Sequence, residues 1–240
     1  MNNSVNKVDN LAGCGRRAVG IFAKEPVAGR VKTRLCPPLS PSQAAELCHV
    51  ALVETVDAMR GGPFELVLFY AGCRDYFAAA FPDLALVPQG EGDLGARMER
   101  AFERLLADGS RPAALIGSDS PDLPPARVAA ALDALGESEV VTVPADDGGY
   151  VLIGESRHHP ELFRGISWSS AAVLEETRQR VVETGIAYRE LPGWEDIDDW
   201  SSLKRLCRRS PDSRTARYAA SLPISPATSF SEASRGGAIR

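Results

Sequence analysis

Five short apolar runs, each closed by glycine, proline or acid and separated by stretches with helical spacing, constrain this 240-residue chain more than any other feature. They occupy residues 18–23 (AVGIFA), 64–71 (FELVLFYA), 84–88 (LALVP), 113–117 (AALIG) and 140–144 (VVTVP). Runs of that length, rich in β-branched and aromatic members, read as strands buried on both faces. Helices are expected over 41–59, 74–81, 94–107, 124–135, 171–184 and 200–207, with a last short strand at 187–191. Strands alternating with helices imply right-handed crossovers and a mainly parallel sheet. The expected fold class is therefore α/β, a single-domain three-layer α/β/α arrangement over residues 17–208. Residues 1–16 are polar and irregular, and 209–240 are rich in Ser, Pro, Ala and Arg with little periodicity, so a disordered leader and a disordered tail are expected.

Composition narrows the function classes. A formal net charge of −5 argues against general nucleic-acid binding, so any basic stretch is a local device. No run of about 18 apolar residues exists to span a membrane, and the first residues lack the apolar centre of a signal peptide. A cytoplasmic location is expected by default. Cys14, Cys36, Cys48, Cys73 and Cys207 are odd in number and form no CxxC pair, which fits reduced, structural thiols.

The polar payload arrives where the apolar runs stop. After the first run come Pro26, Gly29 and the cations Lys24, Arg30, Lys32 and Arg34. A basic, glycine-containing loop between a strand and a helix suits a diphosphate, although a solvated surface loop would look the same. It has neither the GxxxxGK[ST] nor the GxGxxG spacing. Gly90, Gly92 and Gly95 follow the third run and allow the backbone to approach a ligand, or simply turn at the surface. Asp119 and Asp122 end the fourth run, where hard oxygen ligands suit Mg²⁺ or Mn²⁺; the other reading is a cap for the next helix. Asp146 and Asp147 in DDGGY, after the fifth run, are either an ordinary hairpin turn or a base facing an acceptor. Trp168 is a packing residue or a ring at a pocket rim. Glu195, Asp196, Asp198 and Asp199 precede a helix whose dipole they complement. His158 and His159 fall in a polar loop and read as solvated.

Taken together and in order, FAKEPVAGRVKTRL, QGEGDLGARM, LIGSDSPDLP, DDGGYVLIG, ISWSSAAVLEET and WEDIDDWSSL resemble the nucleotide-diphospho-sugar transferase superfamily with the type A glycosyltransferase fold. Within it the chain is most similar, over residues 18–207, to small bacterial glycosyltransferase-like transferases associated in some genomes with radical-SAM and selenium-related gene clusters. Lys32 to Leu35, KTRL, also resembles the guanylyltransferases that activate phospholactate and, more distantly, those of molybdenum-cofactor synthesis. The resemblance implies a nucleotide over the first half of the sheet, a divalent metal on Asp119 and a second metal carboxylate at Asp198. Asp196, Ile197 and Asp198 match the start of the superfamily's D-x-D-T-P-E-D segment, and Asp199, Trp200, Ser201 and Ser202 depart from it. The implied activity is metal-dependent transfer from a nucleoside diphosphate sugar to a small acceptor. Lys24, Arg30, Lys32, Arg34 and Gly95 would contact the donor, Asp119 and Asp147 would be catalytic, and Mg²⁺ or Mn²⁺ would be the cofactor. Nucleotidyl transfer from an NTP to a phosphorylated small molecule is the alternative, and a non-catalytic nucleotide-binding protein the lower one. Expected partners are a nucleotide or nucleotide-sugar donor and a small-molecule acceptor, with no nucleic acid and no membrane.

Overall fold

Strand alternation decides the layers. In the computed structural model, which describes residues 17–107 and 112–223, β1 (Ala18–Lys24) is buried on both faces: Val19, Ile21 and Ala23 point into one apolar cluster and Ala18 into another. Gly20 sits between them because a methyl there would overlap the side chains of Leu115 and Phe69. The first cluster is closed by α1 (Pro41–Met59), α2 (Arg74–Ala80) and α4 (Pro125–Ala134), which contribute Leu52, Val56, Phe77 and Val128. The second is closed by α3 (Leu94–Leu105) and α5 (Val173–Thr184), through Met98, Phe102 and Val181. Helices on both faces of one sheet give the expected three layers.

The sheet has seven strands in the order β3-β2-β1-β4-β6-β5-β7, with β2 at Glu65–Ala71, β3 at Ala85–Pro88, β4 at Ala113–Gly117, β5 at Val140–Pro144, β6 at Tyr150–Glu155 and β7 at Tyr188–Glu190. All neighbours pair parallel except β6, which runs antiparallel to both β4 and β5. The cause is DDGGY: Ala145 N–H donates to Gly149 O at 3.0 Å and Gly148 takes a φ of 89°, closing a hairpin that returns the chain beside β5. That turn brings the start of β6 to the same edge as the carboxyl ends of β1, β4 and β5. From β1 the chain winds one way to β2 and β3, and across β4 the other way. A sheet of this kind opens a crevice at the carboxyl ends on either side of that reversal.

A third cluster corrects the expected tail. Residues 209–223 include helix α7 (Arg214–Ser221), which packs with α6 (Trp200–Arg209) against α1 and buries Leu35, Leu47, Leu203, Leu206 and Ala219. The short, arginine-containing stretch gives little local helical signal, and tertiary capping supplies the rest. Ser213 caps the helix, and the Glu54 carboxylate of α1 accepts from Arg214 N at 2.7 Å and Thr215 N at 2.8 Å. Residues 224–240 of the expected tail, and the expected leader 1–16, lie outside the described residues. No described helix is long and apolar enough to cross a membrane.

Candidate functional site

The loop after β1 is shaped by its own backbone. Lys24 Nζ donates to Arg30 O at 3.0 Å, Arg30 N–H donates to Val27 O at 2.9 Å, and Lys32 takes a left-handed conformation at φ 49° before a short 3-10 turn, Thr33–Leu35. A left-handed lysine is strained by about 1 kcal/mol or more, and such strain persists where the surroundings over-determine it. Here they do: the ammonium reaches across the crevice to Asp119 Oδ1 at 2.9 Å and to the carbonyl of Ile197, 165 residues away. Its side chain is only 10% exposed, against 48% for that of Asp119. The cation is held inside the fold and its carboxylate partner faces the cleft.

Asp119 lies two residues past the end of β4 and is fixed by its main chain, since Ile197 N–H donates to Asp119 O at 2.8 Å. One bond therefore joins the end of β4 to the segment carrying Asp196 and Asp198. Arg34 makes an ion pair with Asp198 on the same rim. Lys24, Arg30, Lys32, Arg34, Asp119 and Asp198 thus line one compartment of about 460 Å³. Gln89 is buried in its lining and donates to Phe69 O at 2.9 Å and Ala23 O at 3.2 Å, satisfying carbonyls at the ends of β2 and β1.

A second compartment, about 450 Å³, adjoins the first and shares Arg34, Leu94 and Asp198 with it. It is lined by Asp147, Asp196, Tyr150 and Trp168 together with Ser169 and Ser170. Asp147 Oδ1 accepts from Gly149 N at 2.9 Å, so DDGGY forms the hairpin and the turn places the carboxylate in the wall of this compartment. A methyl on Gly148 would overlap the backbone of Ala171, and Gly148 O accepts from Leu174 N at 2.8 Å, which seats the hairpin on the start of α5. Trp168 likewise serves both readings, packing on Phe163 with ring centroids 6.4 Å apart while lining the compartment.

Asp196, read from the sequence both as a helix-dipole acid and as the start of the D-x-D match, lies away from the helix start and lines the second compartment. It is desolvated, and this burial, followed by the charges of Asp147 and Asp119, pushes its carboxyl up to about 6. The helix-start role belongs to Asp199, whose Oδ1 accepts from Ser202 N at 2.8 Å in a reciprocal capping box. A carboxyl raised in part by its carboxylate neighbours fits the surroundings of a divalent cation. Among the described residues, however, the group of three donors already gathered within 4.8 Å is Glu99, Glu103 and His158, none of which lines the cleft. The cleft fits an ion held by one or two carboxylates and completed by a phosphate-bearing ligand, the mode usual for Mg²⁺.

Three other expectations are corrected. Gly95 does not line either compartment; Leu94 does, and the glycine is needed because a methyl would overlap the Trp168 indole and Phe163 O. Asp122 caps no helix: α4 has no side-chain cap, and Asp122 instead takes a two-pronged contact from Arg209, 2.7 and 3.1 Å, with further bonds from Trp194 and Ser210. His159 is buried rather than solvated, and His158 bonds the fully buried Glu155 at 3.1 Å, because the loop folds back over the end of β6.

The fold is shared by known proteins. A family profile described as "Uncharacterized protein conserved in bacteria (DUF2064)" matches residues 53–170. A Desulfovibrio desulfuricans G20 protein provisionally described as a nucleotide-diphospho-sugar transferase is 30% identical, with 84% of this chain and 93% of that one covered at a TM-score of 0.80. The chain belongs to the DUF2064 family. No curated protein matches it. More distant structures share the fold alone. Rv0371c of Mycobacterium tuberculosis H37Rv, in complex with manganese, is 20% identical over 82% of this chain and 100% of that one, TM-score 0.51. A CMP:2-keto-3-deoxy-manno-octonic acid synthetase complexed with CTP is 11% identical over 82% and 98%, TM-score 0.54.

Proposed function

We propose that this protein is a metal-dependent transferase that binds a nucleoside diphosphate sugar in the first compartment and passes the sugar to a small acceptor in the second. One observation carries the reading: Lys32 and Asp119 meet at 2.9 Å in the crevice between β1 and β4, in the wall of the first cavity, which shares Arg34 and Asp198 with the second. Lys24, Arg30, Lys32 and Arg34 would neutralise the diphosphate, and a cation clamp stabilises the charge that grows on the leaving nucleoside diphosphate more than it stabilises the bound donor. Asp119 and Asp198 would hold Mg²⁺ or Mn²⁺, with Asp196 beside them. When bound, that ion supplies Lewis-acid charge to the departing phosphate oxygens. Asp147 would accept the acceptor's proton. The description of the Desulfovibrio relative and the nucleotide and manganese ligands of the fold neighbours support a nucleotide-utilising, metal-dependent site.

Nucleotidyl transfer is the second reading, favoured by the Lys32 and Arg34 side chains of the KTRL segment and by the fold shared with a CTP-bound synthetase. The two are separated by heating the protein with Mn²⁺ and either nucleotide sugars or NTPs. Ligand at a hundredfold over Kd adds about 2.7 kcal/mol to stability, so the class that raises the melting temperature names the donor. Asp119→Ala is expected to abolish the metal-dependent shift, and Asp147→Asn to keep it while losing turnover. Equal, small effects of both changes would overturn the assignment.

A further inference from the structure

The second compartment is a poor place for a phosphate. Of the charged residues lining it, three are the carboxylates Asp147, Asp196 and Asp198, and one is the cation Arg34, already paired with Asp198. A divalent ion at the junction does not reverse this balance. Counted with Lys24, Arg30, Lys32 and Arg34, it is set against Asp119, Asp147, Asp196 and Asp198, and the donor's diphosphate takes up the positive charge that remains. No cation is left over for an anionic group on the acceptor. What remains is polar and uncharged, Ser169 and Ser170, beside the rings of Trp168 and Tyr150. Rings next to hydroxyls and carboxylates suit the ring faces of polyols and the heads of amines.

From this arrangement we infer, on the basis of glycosyl transfer at this site, that the acceptor is an unphosphorylated polyhydroxyl or amino-alcohol compound, neutral or cationic. Phosphate esters of the same compounds are rejected by like charge. The transfer balances with residues in place. The acceptor oxygen forms a bond to the anomeric carbon while its proton passes to the Asp147 carboxylate. The bond from that carbon to the β-phosphate oxygen breaks, and its electron pair leaves on the nucleoside diphosphate. The sugar is the only group moved, and nothing is oxidised or reduced.

The test uses the full chain at pH 7.5 with Mn²⁺ and the nucleoside diphosphate giving the largest melting-temperature rise. Isothermal titration then compares glucosamine with glucosamine 6-phosphate, ethanolamine with phosphoethanolamine, and glycerol with glycerol 3-phosphate. At least one parent compound is expected to bind about tenfold or more tightly than its ester, a difference of about 1.4 kcal/mol. Ala171→Lys adds a cation at an exposed position lining the compartment and is expected to narrow that ratio about tenfold while leaving the nucleotide-induced shift unchanged. Esters binding as tightly as their parents, or no parent binding at the highest concentration reached, would overturn the acceptor class while leaving the donor reading intact. A protein stabilised by NTPs and by no nucleotide sugar would overturn the donor reading itself, and the melting curves report that separately from the titrations.

Discussion

Lys32 concentrates the chemistry of the site in one side chain. It carries backbone strain, a nearly buried ammonium and two partners from distant segments. Lys32→Gly and Lys32→Ala are both expected to lose the nucleotide-induced stabilisation, because both remove the charge. The glycine variant is expected to be more stable than the alanine variant by about 1 kcal/mol in urea unfolding, since glycine adopts φ 49° without a Cβ penalty. Cys48 lines the same compartment, and burial, then the Asp119 charge, pushes its thiol up to about 11. A thiol raised that far stays protonated at neutral pH and is a weak nucleophile. Iodoacetamide at pH 8 is expected to label the exposed Cys73 and to spare Cys48, as peptide mass mapping would show. At this scale the sequence placed Asp119 and the basic loop at the ends of strands, and the fold brings both into the lining of the first compartment. It named Asp196 among the late acids without its neighbours Asp119 and Asp147, which come from other segments, and it gave Gly95 to a ligand where the packing of Trp168 requires a glycine.

Between elements, the decisive contacts are caps and close approaches. Glu54 of α1 receives both Arg214 and Thr215 backbone N–H groups and the Thr215 hydroxyl at 2.7 Å, so a side chain from one helix caps another. Glu54→Ala is expected to cost about 1–3 kcal/mol, read as a lower urea midpoint with an unchanged m-value. A stop after Ser213 would uncover Leu203 and Leu206 on α6, and a larger loss is expected there. Gly95→Ala is expected to destabilise by about 1–3 kcal/mol, because the indole of Trp168 has to move. Periodicity found α1, α3 and α5 because their apolar stripes are long. It did not find α7, an eight-residue helix that is too short to be stable by itself and depends on a partner for capping and burial.

Across the whole molecule, Asp122 holds the two ends of the site in register. Its side chain is 6% exposed, and Arg209, Trp194 and Ser210 converge on it, pinning the loop after β4 to both flanks of the segment that carries Asp196 and Asp198. Trp194 is in turn sandwiched between the guanidiniums of Arg127 and Arg209, 4.6 and 5.2 Å from its ring centre. Asp122→Ala leaves a half-buried arginine without its main partner, and a loss of about 3 kcal/mol is expected. Mn²⁺-dependent nucleotide binding is expected to weaken as well, although Asp122 lines neither compartment; a variant with lowered stability and wild-type affinity would show that the segment is positioned by other contacts. The alternation of strands and helices, the three layers and the ends of strands where polar residues gather were determined by the sequence alone, because period and composition act over a few residues. Which of those polar residues meet was decided only by tertiary structure. Pairing β6 back against β4 and folding α6 and α7 onto α1 brought Lys32 to Ile197 and Arg34 to Asp198 across more than 160 residues. Charge and hydrogen bonding act through space over a few ångströms, so no local pattern in the chain records those pairs.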